Sequence, residues 1–227
     1  LDAIRDMSQA ASPEHLARSR LDFQGVTNLI GHVRIGGTNK STYTARLGRT
    51  DQAVISALQG ATKELHFLDV GCSDGTTSIE TVARIERDLA VAVTPYLMDR
   101  YIWIRRAERA FIVEYASTDD QLVMVRIGRF ALAPAPRTFL LEKLTNWSVS
   151  KYMSLKRFRH AMRRIEKFPL LSPRVAARPG VRVCEGDISI LNNELVGQMH
   201  LVRAANLLHS DYFSDAQIIA AISNLVR

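Results

Sequence analysis

The sequence lacks the features that mark an exported, membrane-spanning or zinc-binding protein. Its 227 residues include only two cysteines, Cys72 and Cys184, which are too few for a disulfide framework. No cluster of cysteine and histidine has the spacing of a zinc site. No apolar run approaches the roughly 20 residues that span a bilayer, and the first residues lack the charged-then-apolar pattern of a signal peptide. We therefore expect a reducing, cytoplasmic setting.

Positive charge is concentrated in one segment of the chain. The net charge is +7, and residues 133–180 contain eleven Lys or Arg and two Glu. That segment therefore has a charge of +9 and leaves −2 for the remaining residues. The hydrophobic share of 47% suits one globular domain, or one domain with an insertion. We interpret the chain as a nearly neutral domain that contains a basic segment.

Residue patterns predict a mixture of helices and strands. Apolar periodicity predicts helices, with Thr50 and Ser214 as N-caps, over 50–59, 76–87, 151–168 and 214–225. Short apolar runs predict strands over 65–70, 89–94, 181–184 and 199–204, and a hairpin of 111–115 with 122–127. The first two strands and the helix between them form a βαβ unit, which is typical of a parallel sheet.

The strand at 65–70 ends in a loop that contains Gly71 and Gly75. Glycine lets a ligand approach the backbone closely, and the following helix points its free N–H groups at that ligand. The spacing Gly-Cys-Ser-Asp-Gly differs from the Gly-x-Gly-x-x-Gly of dinucleotide enzymes, whose pyrophosphate lies on the helix N-terminus. Asp69 before the loop and Asp74 within it would repel a pyrophosphate. A cationic ligand with an amino-acid tail fits better.

The segment from Leu68 to Gly75 resembles the first motif of class I S-adenosylmethionine-dependent methyltransferases, over strand, loop and helix. The resemblance implies S-adenosylmethionine as the cofactor, with the loop backbone against its methionyl part and Asp69 holding its amino group. Cys72 occupies a packing position of this motif. The cofactor contacts implied within the motif are Asp69, Gly71, Cys72, Ser73, Asp74 and Gly75. The alternative is a glycine turn in some other α/β protein.

The resemblance also implies contacts beyond this loop. The family carries an acidic residue just after the second strand, which accepts hydrogen bonds from the ribose hydroxyls. Asp99 has this place if the strand runs through Leu97, although Pro95 would fit poorly inside a central strand; a solvated surface charge is the alternative for Asp99. Asp187 and Ile188 resemble the adenine-binding corner, where the Asp accepts from the adenine amino group and the next N–H donates to the ring. A simple turn cap is the alternative for Asp187.

Residues 201–208, followed by Tyr212 and Phe213, resemble the fourth-strand region of chemotaxis-receptor methyltransferases. That family has an adjacent Arg and Asn, whereas here two alanines separate Arg203 from Asn206. Asn206 is expected beside the methyl group. Arg203 is a candidate cofactor contact, and a salt-bridged structural role is the alternative. The sequence lacks an Asn-Pro-Pro-Tyr motif, which argues against the adenine and glutamine amino methyltransferases.

Catalysis would make modest demands on this chain. The sulfonium is already a good leaving group, so methyl transfer depends largely on positioning. A base is needed only if the acceptor still carries its proton. His200 and His209 flank the fourth predicted strand and are candidates for that base. We take Asn206 and His209 as the candidate catalytic residues.

The expected fold is an α/β, Rossmann-like three-layer sandwich of the class I methyltransferase type. We predict an N-terminal helical and loop extension, the first half of the methyltransferase domain, a basic helical insertion or lid, and the second part of the domain, over 1–49, 50–132, 133–180 and 181–227. No Gly-Gly turn and fifth strand follow the last helix. The sheet is therefore expected to lack its C-terminal strands, because the chain is a fragment or because that half is disordered or supplied elsewhere.

Three functions remain open at this point. The first is a methyltransferase whose acceptor is unidentified, with a small molecule or a protein side chain favoured. The second is a degenerate domain that binds the cofactor or a partner without catalysis. The third is a module at an anionic membrane or on RNA, acting through 151–168. In that segment Phe158, Met162 and Ile165 form an apolar stripe, which favours packing on the sheet.

Overall fold

A computed structural model describes residues 5–6, 34–35, 38–39, 46–60, 64–109, 111–120, 122–127, 130–132, 164–190, 193–205, 207–210 and 213–226. The chain divides into two compact units. The first comprises Leu1–Arg18, Thr42–Ile102 and Leu170–Arg227, and the second comprises Ser19–Ser41 and Trp103–Pro169. These boundaries differ from the predicted divisions at 132/133 and 180/181.

The described residues form twelve strands and four helices. The strands are β1 Arg5–Asp6, β2 Arg34–Ile35, β3 Thr38–Asn39, β4 Glu64–Val70, β5 Ala92–Asp99, β6 Trp103–Arg109, β7 Ile112–Ser117, β8 Leu122–Ile127, β9 Phe130–Leu132, β10 Arg164–Pro169, β11 Arg182–Glu185 and β12 Leu201–Arg203. The helices are α1 Gly48–Ala57, α2 Thr76–Leu89, α3 Pro173–Ala176 and α4 Asp215–Leu225. None of these helices is long and apolar enough to cross a membrane.

The first unit is built on a sheet with the strand order β1-β11-β5-β4-β12. β11, β5, β4 and β12 are parallel, and β1 pairs with β11 in the antiparallel direction. From β4 the chain proceeds outward to β5 and β11, and it then returns to the other side of β4 as β12. This reversal makes a topological switch point between β4 and β12.

Apolar side chains cover both faces of this sheet. In β4, Leu65 and Phe67 belong to one buried cluster, which includes residues of α1 and α2. Leu68 and Val70 belong to a second cluster, which includes Ala221 of α4. Because strand side chains alternate between faces, this division follows directly from the unbroken apolar run of β4. The confirmed part of the fold prediction is a mixed α/β chain with a four-stranded parallel sheet.

The predicted strand at 89–94 is displaced in the structure. α2 continues to Leu89, and β5 begins at Ala92 and runs through Asp99, so Pro95 lies inside the strand. Pro95 is aligned with Phe67 of β4, whereas the ladder with β11 begins one residue later at Tyr96. At Pro95 the strand therefore has a paired neighbour on one side, which is the situation in which a strand tolerates proline.

The helix starts give one correction and one confirmation. α1 begins at Gly48, so the predicted N-cap Thr50 is wrong, and no side chain caps the helix. Its first turn instead contains the buried Asp51, whose carboxylate bonds to another helix. Ser214 does cap α4, in a reciprocal capping box with Gln217.

The second unit contains an antiparallel sheet of order β10-β6-β7-β8-β9 and the short pair β2–β3. The predicted hairpin is confirmed as β7 and β8. The predicted helix over 151–168 is wrong from Arg164 onward, where the chain forms β10 and pairs with β6. That pairing satisfies backbone groups with a strand about 60 residues earlier, which local periodicity does not reveal. The remainder, 151–163, lies outside the described residues.

Candidate ligand site at the carboxyl edge of the parallel sheet

The loop of residues 71–75 follows β4 at the carboxyl edge of the sheet, beside the switch point. Ligands of open parallel α/β sheets bind at this edge, outside the switch point. The Gly71 and Cys72 N–H groups both donate to the Met98 carbonyl, at 2.8 and 3.2 Å. These bonds fix the loop against the end of β5, so the conformation of the loop depends on the folded sheet.

Both loop glycines have backbone conformations that favour glycine. Gly71 has φ +73° and Gly75 has φ +75°. A Cβ on Gly75 would lie 2.7 Å from Val175 Cγ2 and 3.0 Å from Leu97 Cδ1, so this position also lacks room for a side chain. A Cβ on Gly71 would lie 3.1 Å from Leu207 Cδ2. The loop therefore depends on both glycines, as the motif predicts.

Asp74 precedes Gly75, the N-cap residue of α2, and accepts hydrogen bonds from the first residue of that helix. Its Oδ1 accepts from the Thr76 N–H at 2.9 Å, and its Oδ2 accepts from the Thr76 hydroxyl at 3.0 Å. The Asp74 carbonyl accepts from the Ser172 N–H at 2.8 Å. A carboxylate of the chain itself thus occupies the position at the helix N-terminus where an anionic ligand would otherwise bind.

Asp74→Ala is expected to lower the free energy of unfolding by about 1 kcal/mol, because it removes the side-chain acceptor at the start of α2. Urea denaturation followed by circular dichroism measures this loss. Ser214→Ala, at the capping box of α4, is the matched reference for a lost cap. An Asp74→Ala variant as stable as the parent chain would show that the hydrogen bonds from Thr76 to Asp74 do not stabilise the start of α2.

Asp99 connects the end of β5 to the loop. Its Oδ2 accepts from the Ser73 N–H at 2.9 Å and its Oδ1 from the Tyr101 N–H at 3.1 Å. The Asp99 carbonyl accepts from the Gly186 N–H after β11. Asp99 is only 8% exposed, so the alternative of a solvated surface charge is wrong. The strand also reaches Asp99, which is the condition that the family resemblance required.

Asp69 is bound by Arg203 on the neighbouring strand. Arg203 Nε donates to Asp69 Oδ1 at 2.9 Å, and Arg203 Nη2 donates to Oδ2 at 2.5 Å. The Ser78 hydroxyl on α2 also donates to Asp69 Oδ2, at 2.5 Å. Arg203 and Asp69 are 5% and 3% exposed. Arg203 therefore forms the buried salt bridge that its structural alternative requires, and its cofactor contact stays a prediction.

The Arg203 guanidinium also reaches a second carboxylate. Its Nη1 lies 3.4 Å from Asp51 Oδ1 and donates to the Thr81 hydroxyl, which in turn donates to Asp51 at 2.6 Å. The buried cluster therefore combines two carboxylates with one guanidinium. Asp51 lies in the first turn of α1, and Ser78 lies in the first turn of α2. Both helix N-termini favour the excess negative charge.

Asp187 forms a turn after β11. Its Oδ1 accepts from the Ser189 hydroxyl at 2.6 Å and the Ser189 N–H at 2.9 Å, and Arg100 lies 3.8 Å from Oδ2. Burial alone would raise the pKa of Asp187, but the Ser189 hydrogen bonds and Arg100 together lower it. The turn-cap alternative for Asp187 is therefore confirmed as a structural role, and its adenine contact stays a prediction.

Ile188 is part of the apolar core beside this turn. It is buried with Leu68 and Met98 in the cluster packed by α4. The same three residues line a cavity of about 270 Å³, whose lining includes one polar side chain, Asn224. The predicted backbone contact of Ile188 to the adenine ring stays a prediction, because its side chain serves the core.

Two serine hydroxyls beside the loop are buried without a hydrogen-bond partner. They are Ser73 Oγ within the loop and Ser172 Oγ, whose backbone N–H donates to the Asp74 carbonyl. Ser73 also has φ +59°, an uncommon conformation for a residue with a side chain. Unpaired buried hydroxyls are costly. These two hydroxyls, next to the two glycines, therefore make no hydrogen bond among the described residues.

The remaining predicted site residues are distributed around the sheet. Cys72 is a buried thiol that is not part of a disulfide, in agreement with a packing role. His209 is exposed in the segment after β12, at the carboxyl edge. His200 precedes β12 and therefore lies at the opposite, amino edge, so its candidacy as a base at this site is wrong. Asn206 lies outside the described residues.

The buried partners of Arg203 were not predicted. Asp51 and Thr81 are separated from Arg203 by 152 and 122 positions, and only the fold brings them together. One sequence signal was available, because Ser78 and Thr81 interrupt the apolar face of α2 with small hydroxyl side chains. No group of three or more metal-ligating side chains occurs among the described residues.

The chain matches no protein-family model, no curated protein and no solved structure. The candidate site is therefore interpreted from its own geometry and from the motif at 68–75.

Proposed function

We propose that this chain binds S-adenosylmethionine at the loop of residues 71–75 and is a methyltransferase of the class I type with an unidentified acceptor. The observation that carries the proposal is the glycine loop between β4 and α2, where Gly71 and Gly75 both have positive φ beside the switch point. Glycine lets a ligand approach such a backbone closely, next to a helix N-terminus and at the edge where open α/β sheets bind ligands.

The sheet supports the finer fold assignment. When the parallel strands are numbered along the chain, their order is 3-2-1-4, which is the order of a doubly wound sheet. Helices on both faces agree with a three-layer, Rossmann-like arrangement. This part of the proposal concerns architecture alone, because many chemistries occur on doubly wound sheets.

The charges around the loop favour a cationic ligand over a pyrophosphate. Asp74 already accepts hydrogen bonds at the start of α2, and Asp99 already accepts from the loop, so an added anion would face two carboxylates. No lysine or arginine occurs in the loop 71–75. A sulfonium compound with an amino-acid tail carries a positive charge, which these two carboxylates do not repel.

The residues present fit such a ligand, with one reassignment. Asp99 lies at the end of β5 with its carboxylate beside the loop, and a carboxylate in that place can accept from ribose hydroxyls. Asp69 fits less well as an amino anchor, because Arg203 engages both of its oxygens. We assign Asp69 and Arg203 to positioning the strand ends.

The chain would contribute orientation more than acid–base chemistry. The bound cofactor supplies an electrophilic methyl group on a sulfonium. The glycine backbone and Asp99 would orient it, which is the main requirement of an in-line displacement. His209 is the candidate base for an acceptor that still carries a proton, and its exposure leaves it accessible to one. A cytoplasmic setting is part of the same proposal.

Calorimetric titration tests the binding step. We expect S-adenosylmethionine and S-adenosylhomocysteine to bind, and ATP and NAD to bind at least tenfold more weakly, a difference of about 1.4 kcal/mol. Asp99→Asn is expected to weaken both adenosyl ligands about tenfold, because it removes a charged acceptor. Asp88→Asn, an exposed carboxylate at the other end of α2, is the control and should leave both affinities unchanged.

The outcomes are distinct. Failure of both adenosyl ligands to bind, with the chain folded, would exclude the proposed function. If ATP bound as tightly as S-adenosylmethionine, the loop would be a general nucleotide site without preference for a sulfonium. Binding without methyl transfer from labelled cofactor to small-molecule or protein acceptors would favour the non-catalytic alternative.

A further inference from the structure

Two histidines join β4 to β12 at the amino edge of the parallel sheet, opposite the candidate site. The His66 N–H donates to His200 Nδ1 at 3.0 Å, and the His200 N–H donates to the His66 carbonyl at 3.0 Å. The ladder between the two strands begins next to this pair, at Leu201 and Phe67. The His200 ring thus adds a hydrogen bond at the start of a three-residue strand.

The two rings require different protonation states. His200 Nδ1 accepts from a backbone N–H, so it holds no proton, and the ring is neutral with its proton on Nε2. His66 Nδ1 lies 3.2 Å from the Gln198 carbonyl, which can only accept, so this nitrogen holds a proton. His66 can therefore take a second proton without losing a contact, whereas His200 cannot.

The surroundings strengthen this asymmetry. Glu64 Oε1 lies 3.8 Å from His66 Nε2. The two rings are 5.3 Å apart, so a charged His66 repels a charge on His200. On β5, the Tyr96 ring lies 5.6 Å from His66, and the Arg182 guanidinium of β11 covers that tyrosine. The carboxylate of Glu64 in this group therefore faces His66.

We propose that His200 is an acid-sensitive clasp that holds the beginning of β12 when its ring is neutral and releases it when the ring is protonated. Histidine is the side chain whose charge commonly changes within the physiological pH range, which is why this clasp would respond to acid. Protonation at Nδ1 replaces an acceptor with a donor that points at the His66 N–H. The strand that is loosened carries Arg203, two residues beyond the start of the ladder.

His200→Asn is the decisive variant, because Asn Oδ1 replaces Nδ1 as an acceptor and does not titrate. Hydrogen exchange of the His66 amide is measured by NMR at pH 7.5 and 5.5, and corrected for the intrinsic rate. In the parent chain we expect its protection to fall about tenfold on acidification, the effect of about one hydrogen bond. In His200→Asn we expect the protection to be equal at the two pH values.

Two further measurements complete the test. At pH 7.5 the ¹⁵N shifts of His200 should show an unprotonated Nδ1 and a protonated Nε2. His209→Asn removes another exposed histidine and should leave the pH dependence of the His66 amide unchanged. A protonated Nδ1 in His200 at pH 7.5, or the same loss of protection in the parent chain and His200→Asn, would overturn the proposal.

Discussion

Arg203→Met is expected to lower the free energy of unfolding by about 3–5 kcal/mol, because it leaves buried carboxylates without their cation. Asp69 would retain only the Ser78 hydroxyl among its side-chain donors, at a position that is 3% exposed. Asp51 would retain the Thr81 hydroxyl. Methionine has a similar length to the arginine stem, so the loss reflects charge and hydrogen bonding more than an empty volume. Thermal unfolding should shift downward by about 10 °C.

Two comparisons make this prediction specific. Arg87→Met removes an exposed arginine that pairs with Asp88 on the surface of α2, and it should leave the urea midpoint unchanged. Arg203→Met combined with Asp69→Asn should be more stable than Arg203→Met alone, because one uncompensated buried charge is then absent. A cost below about 1 kcal/mol for Arg203→Met would contradict the buried network.

The local features of the parallel sheet were predictable from sequence. The apolar run of β4, the glycine loop and the amphipathic α2 lie within about 25 residues and follow from periodicity and glycine chemistry. Ser214 was found because an N-cap is read from adjacent residues. Gly71 and Gly75 both have positive φ, a conformation that glycine adopts without steric cost.

The errors arose where distant strands decide the structure. Arg164 to Phe168 has helical spacing of apolar residues, but pairing with β6 makes it a strand. Pro95 argued against an extended second strand, and the late start of the β11 ladder removes that objection. Neither pairing is visible in a local window. Tertiary contacts override propensity at both positions.

The site shows the same division. The motif identified Asp69, but it could not show that Arg203, 134 positions later, would neutralise that carboxylate. It placed Asp99 at the end of a strand without showing that both of its oxygens hold backbone N–H groups. A buried charge needs a partner, and the fold decides which distant residue lies close enough to be that partner. Residue types at a site are therefore easier to predict than the partners that set their charge.

Gly75→Ala is expected to cost about 3 kcal/mol of unfolding free energy and to weaken binding of S-adenosylmethionine. Alanine at φ +75° is strained by about 1 kcal/mol, and its Cβ would lie 2.7 Å from Val175 Cγ2 in a packed core. The contact partner is on α3, directly against the loop, so relief of the overlap must move one of them. Urea denaturation and calorimetry measure the two effects.

Gly180→Ala is the matched control for the backbone strain in Gly75→Ala. Gly180 has φ +74°, and a Cβ there would meet no atom within 4 Å, so its cost should be about 1 kcal/mol, without an effect on binding. The double variant Val175→Ala, Gly75→Ala should lose less unfolding free energy than the two single variants lose together, because the shortest contact of the new Cβ is then absent. If Gly75→Ala and Gly180→Ala cost the same, crowding at Gly75 makes no contribution. The need for glycine at position 75 of the candidate site would then follow from its backbone conformation alone, and not from the lack of room for a side chain.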